Sequence, residues 1–266
     1  MYIGNDHTFV VCAYKESPYL ETVIRSLLAQ TVKSHILVST STPNPWIEGL
    51  CDQYELPLVI NRGEASISRD WNYGYDAAET ALVTIAHQDD VYDPEYLEEV
   101  LKALNRQKGG KMQIAFTDYY ELKNDRKVEK NRLLLIKRIL LMPLRITGLG
   151  YCRFVKRLVL SFGNPICCPA VTLVKENVGP AVFDVRYVNS CDYQTWAGMA
   201  EKEGMFLYIP RRLMGHRIHA GSTTTKNVAD GVRKEEDLEI MCGFWPRPVA
   251  KLINRIYATS EKSNEV

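Results

Sequence analysis

A chain of 266 residues is long enough for one large α/β domain with an ample core. Its 33 Lys and Arg against 32 Asp and Glu leave a formal net charge of +1 and a pI near 7.6, which excludes a general nucleic-acid binder, because phosphate-backbone affinity needs a clustered basic surface. No apolar stretch reaches the roughly 20 residues that cross a bilayer, so an integral membrane protein is not expected. Seven cysteines, at 12, 51, 152, 167, 168, 191 and 242, form an odd set with no CxxC pair. The opening Met1-Tyr2-Ile3-Gly4-Asn5-Asp6 lacks the charged-then-apolar plan of a signal peptide, and the expected compartment is a reducing cytoplasm.

The run 8–13 is short and apolar and ends at Tyr14-Lys15-Glu16-Ser17-Pro18. Leu20, Val23, Ile24, Leu27 and Leu28 then recur at helical spacing over 19–30, with Ser17 expected as N-cap and Pro18 in the first turn. A strand at 36–38, a polar loop at 39–44, a helix over 45–54, a strand at 56–60 and a helix over 66–79 follow. The apolar run 81–86 reads as a buried strand and leads directly into His87-Gln88-Asp89-Asp90, after which Asp93-Pro94-Glu95 opens a helix reaching about 107; 113–117 is a further strand. Short buried strands alternating with helices predict βαβ units and a mostly parallel sheet flanked by helices. Ligands are therefore expected where Tyr14, Ser39, Asn61 and Asp89 leave their strands. Two carboxylates there are hard oxygen ligands suited to Mg²⁺ or Mn²⁺ on a diphosphate, although they would equally favour the N-terminus of the helix that follows. A nucleotide-dependent transferase is the first hypothesis.

The alternation stops after 117. From 126 to 162 the chain is both basic and apolar, with Lys127, Lys130, Arg132, Lys137, Arg138, Arg145, Arg153, Lys156 and Arg157 interleaved among Leu133-Leu134-Leu135-Ile136 and Ile139-Leu140-Leu141-Met142. Such a segment suits a membrane interface, and it also suits helices that pack their apolar side on the core and extend their Lys and Arg stems to water. A strand at 170–174, a loop through Cys191-Asp192-Tyr193, a helix over 195–203 and a strand at 205–209 with a return at 217–222 complete the body. The tail, 231–257, reads as helical and broken at Trp245-Pro246-Arg247-Pro248; its second part is again basic and amphipathic. Cys167 and Cys168 read as small buried apolar residues.

Over about 8–224 the order of these motifs resembles the family 2 glycosyltransferases, with their nucleotide-diphospho-sugar (GT-A) fold. Val11-Cys12-Ala13-Tyr14-Lys15-Glu16 and Ser26-Leu27-Leu28-Ala29-Gln30-Thr31 look like the family's first strand and helix, and the resemblance implies that Tyr14 stacks beside the nucleotide base. His87-Gln88-Asp89-Asp90 stands where the family carries its DxD metal motif, with Asp89 the better match for the metal carboxylate and Asp90 the second. Cys191-Asp192-Tyr193-Gln194-Thr195-Trp196 is similar to the segment whose Glu-Asp pair supplies the general base, which implies that role for Asp192. His219, within His216-Arg217-Ile218-His219-Ala220-Gly221-Ser222, matches the histidine that completes the metal or diphosphate site. Three positions depart from the pattern: His87 stands for the first DxD carboxylate, Ser39 and Thr40 for the acidic end of strand two, and Cys191 for the Glu of the Glu-Asp pair.

The resemblance implies a GT-A domain over 1–225, with a nucleotide half at about 1–117 and an acceptor half at about 118–225, and a C-terminal helical extension over 226–266. It implies nucleotide-sugar contacts from Tyr14, Glu16, Ser39, Ser41, Arg69, Asn72, His87, Asp89 and Asp90, with Asp89 and His219 holding Mn²⁺ or Mg²⁺ and Asp192 catalytic. The expected reaction is inverting transfer from a nucleoside-diphosphate sugar, a UDP-sugar foremost, to a glycan or lipid-linked hydroxyl in bacterial cell-surface polysaccharide assembly. A cytoplasmic protein with peripheral contact at the inner leaflet fits the basic-apolar segment. Two alternatives stand beside it. A nucleotidyltransferase would share fold and metal, but the loop Ala13-Tyr14-Lys15-Glu16-Ser17-Pro18 lacks the glycines that cradle a triphosphate. A non-catalytic sugar-nucleotide binder would account for His87, Ser39 and Cys191.

Overall fold

The computed structural model describes residues 1–219 and 231–262. The chain alternates β1 (His7–Ala13), α1 (Leu20–Leu28), β2 (His35–Thr40), α2 (Pro45–Gln53), β3 (Leu58–Ile60), α3 (Ile67–Ala77), β4 (Leu82–His87), β5 (Val91–Tyr92) and α4 (Tyr96–Arg106). Strand β1 pairs in parallel with β2 and β4, and β2 with β3. Both faces of β1 are covered: Phe9, Val11 and Ala13 join a core with Leu20, Ile24, Ile47, Tyr96 and Val100, whereas Val10 joins the opposite core with Tyr75, Val83 and Phe116. This period-two division is what a parallel strand between two helical layers requires.

One local feature departs from expectation. Ser17 does not cap α1; its Oγ accepts from Tyr19 N–H at 3.3 Å in the turn before the helix, which starts at Leu20 without a side-chain cap. Asn44 and Ser66 do cap α2 and α3, accepting from Ile47 N–H (3.0 Å) and Arg69 N–H (3.3 Å).

The second half comprises β6 (Met112–Lys123), β7 (Arg126–Val128), α5 (Arg132–Leu141), α6 (Arg153–Leu160), β8 (Val171–Val174), α7 (Lys175–Val178), α8 (Cys191–Ala200), β9 (Met205–Ile218), α9 (Val232–Cys242) and α10 (Arg247–Lys262). Here the sheet becomes mixed: β8 lies antiparallel between β4 and β6, β9 runs parallel to β6, and β5 closes the edge antiparallel to β9, giving the order β3-β2-β1-β4-β8-β6-β9-β5. The expected parallel character therefore belongs to the first half. Asn124 and Asp125, both at positive φ, form the two-residue turn from β6 to β7. In place of a strand and a return, 205–218 is one strand that absorbs Pro210-Arg211-Arg212 through register shifts opposite Thr117 and Asp118. Of the expected return, 220–222 lies outside the described residues, as does the 225/226 boundary.

The sheet interior carries a polar line. His7 Nε2 meets Thr84 Oγ1 at 2.9 Å, Thr84 meets Thr172 at 2.8 Å, and His7 Nδ1 meets Ser34 Oγ at 3.2 Å. Burial pushes the His7 imidazole down to a pKa of about 3. Lys156 is likewise interior, its Nζ donating to Lys202 O (2.8 Å), Gly204 O (2.7 Å) and Gln113 Oε1 (3.1 Å) beyond the end of α8, and burial lowers its pKa to about 8. It is therefore no headgroup ligand. Nor is Arg138, whose guanidinium holds Asp118 Oδ2 (2.7 Å) and Tyr119 O (2.9 Å).

Candidate active site

Strands β1, β2 and β4 end side by side, Cys12 opposite both Ser39 and His87. Gln88 fastens this edge, its Oε1 accepting from Tyr14 N–H (2.9 Å) and its Nε2 donating to Tyr14 O (3.2 Å), so the exposed Tyr14 ring is presented by a fixed backbone. Lys15 beside it has φ 56° and donates its N–H to Thr42 Oγ1.

The two carboxylates after β4 point in different directions. Asp89 is half-buried and its Oδ2 lies 3.0 Å from His219 Nε2, at the far end of β9. Asp90 is 1% exposed and turned inward, where its Oδ1 accepts from Arg217 N–H (2.9 Å) and meets His216 Nδ1 (3.1 Å). Burial alone would raise the Asp90 pKa, but His216, His87 and the Arg217 amide hold it below the usual carboxylate range. His216 rises correspondingly, Asp90 outweighing the effect of burial. Asp90 is therefore a structural anchor joining the β4 turn to β9, not a second ligand to nucleotide or metal. Arg217 adds to the junction, its Nε donating to Asp89 O (2.8 Å) and its guanidinium lying 4.2 Å over the Tyr19 ring; Tyr19 also packs edge-on to His219 at 5.0 Å.

Among the described residues no group of three or more His, Cys, Asp and Glu side chains is gathered into a metal cage. Asp89 and His219 nevertheless offer one carboxylate oxygen and one imidazole nitrogen at a separation of 3.0 Å, which suits adjacent positions on an octahedral ion with bonds of about 2.1 Å. Such a two-ligand set would hold a divalent ion only if further ligands came from outside these two side chains.

His87 stacks on Trp71 of α3 (4.8 Å, 22°), and Trp71 meets Phe183 edge-on. Burial lowers the His87 pKa, partly offset by Asp90, Asp89 and Asp192, so the Asp192 charge reaches this end of the sheet. Helix α8 begins at Cys191, four residues before the expected start, which puts Asp192 in its first turn. Its Oδ1 accepts from Tyr193 N–H (2.7 Å) and its Oδ2 from Asn164 Nδ2 (2.8 Å). Burial raises the Asp192 pKa, opposed by Arg233, the Tyr193 amide, Lys137 and Asn164. The neighbouring Cys191 is fully buried, with its thiol pKa pushed far up by burial, so it contributes no charge where the family pattern has Glu.

Several expected contacts find other employment. Ser39 is 2% exposed beneath α3, where a Cβ on Gly74 would stand 3.0 Å from its Cβ; it cannot meet a base. Asn72 donates to Phe183 O (2.7 Å) and accepts from Phe183 N–H (2.8 Å), so its amide fixes the loop before α8 rather than a sugar. Ser41 donates to Asp70 Oδ2 and Asn61 Nδ2 to Asp70 Oδ1, both at 2.7 Å. Asp70 thus places a carboxylate at the ends of β2 and β3, the signal for it being one acidic residue a turn into a helix beside Ser41 and Asn61. Arg69 is exposed and pairs with Glu64 at 3.1 Å on the rim of a 260 Å³ hollow shared with Asn61 and Tyr73. Glu16 is exposed. A larger cleft of about 520 Å³ lies at Asp93, Glu95 and Arg211. Its charges are spent on one another, Arg211 pairing with Glu95 and Glu99, and it lacks the residues described above.

A sequence profile described as Glycosyl transferase family 2 matches residues 8–177, which includes the β1, β2 and β4 ends and the Asp89 turn. The chain belongs to this family. Its sheet, flanking helices and C-terminal helices give the GT-A fold, and solved structures with that fold resemble it throughout. S. aureus TarS 1–349 is similar at 12% identity with a TM-score of 0.60, the alignment covering 88% of this chain and 64% of that one. The chain thus spans under two thirds of that TarS fragment; a further structure of the fragment is a complex with UDP-GlcNAc. The mannosyltransferase PcManGT from Pyrobaculum calidifontis, in complex with GDP-Man and Mn²⁺, is similar at 12% identity with a TM-score of 0.64, covering 100% of this chain and 77% of that one. Glucosyl-3-phosphoglycerate synthase from Mycobacterium tuberculosis, with Mn²⁺, UDP and phosphoglyceric acid, gives 12% identity and a TM-score of 0.58 over 90% and 79%. No curated protein sequence matches the chain. No described helix is long and apolar enough to cross a membrane.

Proposed function

We propose that this family 2 glycosyltransferase moves a sugar from a nucleoside diphosphate to a hydroxyl with inversion, with Asp89 and His219 holding Mn²⁺ or Mg²⁺ and Asp192 as general base. The observation that carries the reading is the 3.0 Å approach of Asp89 to His219, two residues 130 apart in sequence brought together at the strand ends where α/β sheets bind ligands. A divalent ion there supplies positive charge against the departing diphosphate. Tyr14 offers a ring face to the base, and Arg69, released from Glu64, offers a guanidinium to phosphate. Asp70, an acceptor only, suits a base edge bearing an N–H, such as N3–H of uracil, which makes a UDP-sugar the proposed donor. Asp192 accepts the proton of the attacking hydroxyl; burial raises its pKa, which makes it a stronger base than an ordinary carboxylate. A single displacement inverts the anomeric centre. A glycan or lipid-linked hydroxyl in cell-surface polysaccharide assembly is the proposed acceptor.

The test is thermal stabilisation by UDP, GDP, dTDP and CMP, each with and without Mn²⁺, on the wild-type chain and on Asp89→Ala. Metal-dependent stabilisation by UDP that the substitution abolishes is the expected result. Equal stabilisation of both proteins would remove Asp89 from the donor site, and stabilisation by another nucleotide alone would overturn the role given to Asp70.

A further inference from the structure

The helices of the second half leave an apolar surface that no part of the described chain covers. Helix α5 exposes Leu135 and Ile139, and Met142 just past its end is exposed too; the three are spaced by four and three residues and so lie on one face, while Leu133, Leu134 and Leu141 are buried on the other. Helix α6 exposes Phe154 and Leu158 at the same spacing, and α10 exposes Val249, Leu252 and Ile256. Leu135, Ile139, Phe154, Leu252 and Ile256 are each between 54% and 72% exposed, far from the fate of an ordinary core stripe. These helices adjoin: α5 packs against both α6 and α10, Tyr257 of α10 fills the space above Gly163 just past α6, and Trp245 Nε1 donates to Ser161 O at 2.8 Å. The exposed stripes therefore belong to one region of the surface.

Along α5, α6 and α10 as far as Ser260 the helices' own charges are all cationic, with Arg153 and Arg157 of α6 paired to Glu201 past the end of α8. From Lys130 to Lys175 the sequence contains no Asp or Glu, and none occurs from Ile240 to Ser260. Arg132, Arg145, Arg247 and Lys251 are exposed around the apolar residues. Lys137, Arg138 and Lys156 are spent on the interior, so the outward cations are a distinct set. We infer that α5, α6 and α10 form a docking face for an anionic lipid bilayer, the apolar side chains entering the acyl boundary and the arginines and lysine meeting phosphate headgroups. A second copy of the chain is a poor occupant, because a two-fold contact through this face sets its basic rim against itself.

The face adjoins the candidate base from two sides. Lys137, on the inner side of α5, donates to Tyr119 Oη at 3.0 Å and its charge acts on Asp192. Phe162, exposed at the end of α6, is two residues from Asn164, which holds the Asp192 carboxylate. If the transferase reading holds, a lipid-borne hydroxyl acceptor would arrive on this side; the docking itself stands without that reading.

The experiment is flotation of the full chain with vesicles of phosphatidylcholine alone or mixed with phosphatidylglycerol, in the absence of any donor. Binding to the mixed vesicles only, declining with salt as screening shortens to about 3 Å at 1 M, is the expected result. The pair Leu135→Glu/Ile139→Glu and the pair Leu252→Glu/Ile256→Glu should each weaken it by about tenfold or more, and Arg247→Glu/Lys251→Glu should abolish the preference for phosphatidylglycerol. All the substituted residues are exposed, and unchanged circular dichroism and UDP binding would show that the variants fold. Failure of the wild-type chain to float with either vesicle, or binding that the Glu pairs leave unchanged, would overturn the inference. So would a dimer by light scattering that those pairs convert to monomer. Because no donor is present, these outcomes do not depend on the transferase assay.

Discussion

Replacing Asp192 by asparagine separates the proposed base from the fold around it. The carboxylate accepts from Tyr193 N–H at 2.7 Å and from Asn164 Nδ2 at 2.8 Å. An asparagine oxygen preserves one of these and turns an NH₂ toward the other donor, a loss of about 1 kcal/mol. Against that, the raised pKa of Asp192 means that its charged form costs stability in the fold. The sign follows from linkage: between the unfolded and folded pKa values the native state binds more protons, so this group's contribution falls as pH rises, and at neutral pH the neutral amide relieves the cost. The two effects oppose, and the melting temperature should move by no more than about 4 °C for a chain of this size. Catalysis should respond quite differently. Loss of a general base removes about 10²–10⁴ in rate, equivalent to about 3–5 kcal/mol of barrier. The assay is UDP release from a UDP-sugar with an acceptor, followed over pH, beside UDP binding by calorimetry. Wild-type kcat/KM should decline as pH falls through a pKa above 3.8, and the residual activity of Asp192→Asn should lack that limb. Activity within threefold of wild type, or an unchanged acid limb, would refute the assignment; loss of UDP binding together with turnover would make Asp192 a structural residue.

Three further outcomes follow from the same geometry. His219→Ala should abolish the Mn²⁺-dependent part of UDP stabilisation while leaving the metal-free melting temperature within about 4 °C, because its Nε2 faces Asp89 at the surface of the junction; His216→Ala, which removes the partner of buried Asp90, should lower it in apo protein as well. His7, with its pKa lowered to about 3, is neutral in the fold and gains a proton on unfolding, so its contribution is present above about pH 6.5 and is lost as pH falls; chemical denaturation of wild type against His7→Gln at pH 7 and pH 5 should show the difference shrinking by about 2 kcal/mol. Gly74→Ala brings a methyl to 2.5 Å from Val10 Cγ1 and 3.0 Å from Ser39 Cβ, so α3 must shift from the sheet at a cost of about 1–3 kcal/mol, read as a lowered denaturation midpoint with unchanged slope.

What the sequence revealed and what it concealed divide along a physical line. Elements whose identity depends on local pattern were legible: the β1 run, the α1 periodicity, the helices over 45–54 and 66–79, and the carboxylate turn after β4 all rest on residues adjacent in the chain. Facts that depend on register or on a distant partner were not. Ser39 and Ser41 look equivalent in a polar loop, yet strand parity sends Ser39 beneath Gly74 and leaves Ser41 to meet Asp70. Asp89 and Asp90 differ in the sequence only by their rank against the family motif, until β9 arrives with a backbone and a ring donor for Asp90 and His219 for Asp89. Proline followed by two arginines at 210–212 reads as a turn, whereas the structure accommodates it as an irregularity within one strand beside β6, and that continuity is what carries His216 and His219 back to the β4 turn. The basic-apolar stretch shows the same limit: its composition alone could not tell Lys156, enclosed by carbonyls, from Arg132 and Arg145 at the surface. Only the packing of α5 against β6 and α6 sorts these cations, sending Lys137 toward the carboxylate that carries the proposed proton transfer and leaving the opposite face of the same helix apolar and exposed. One helix thus separates the reaction site from the surface proposed to meet the lipid, which is why substitutions at Leu135 and Ile139 should alter vesicle binding and leave UDP binding unchanged.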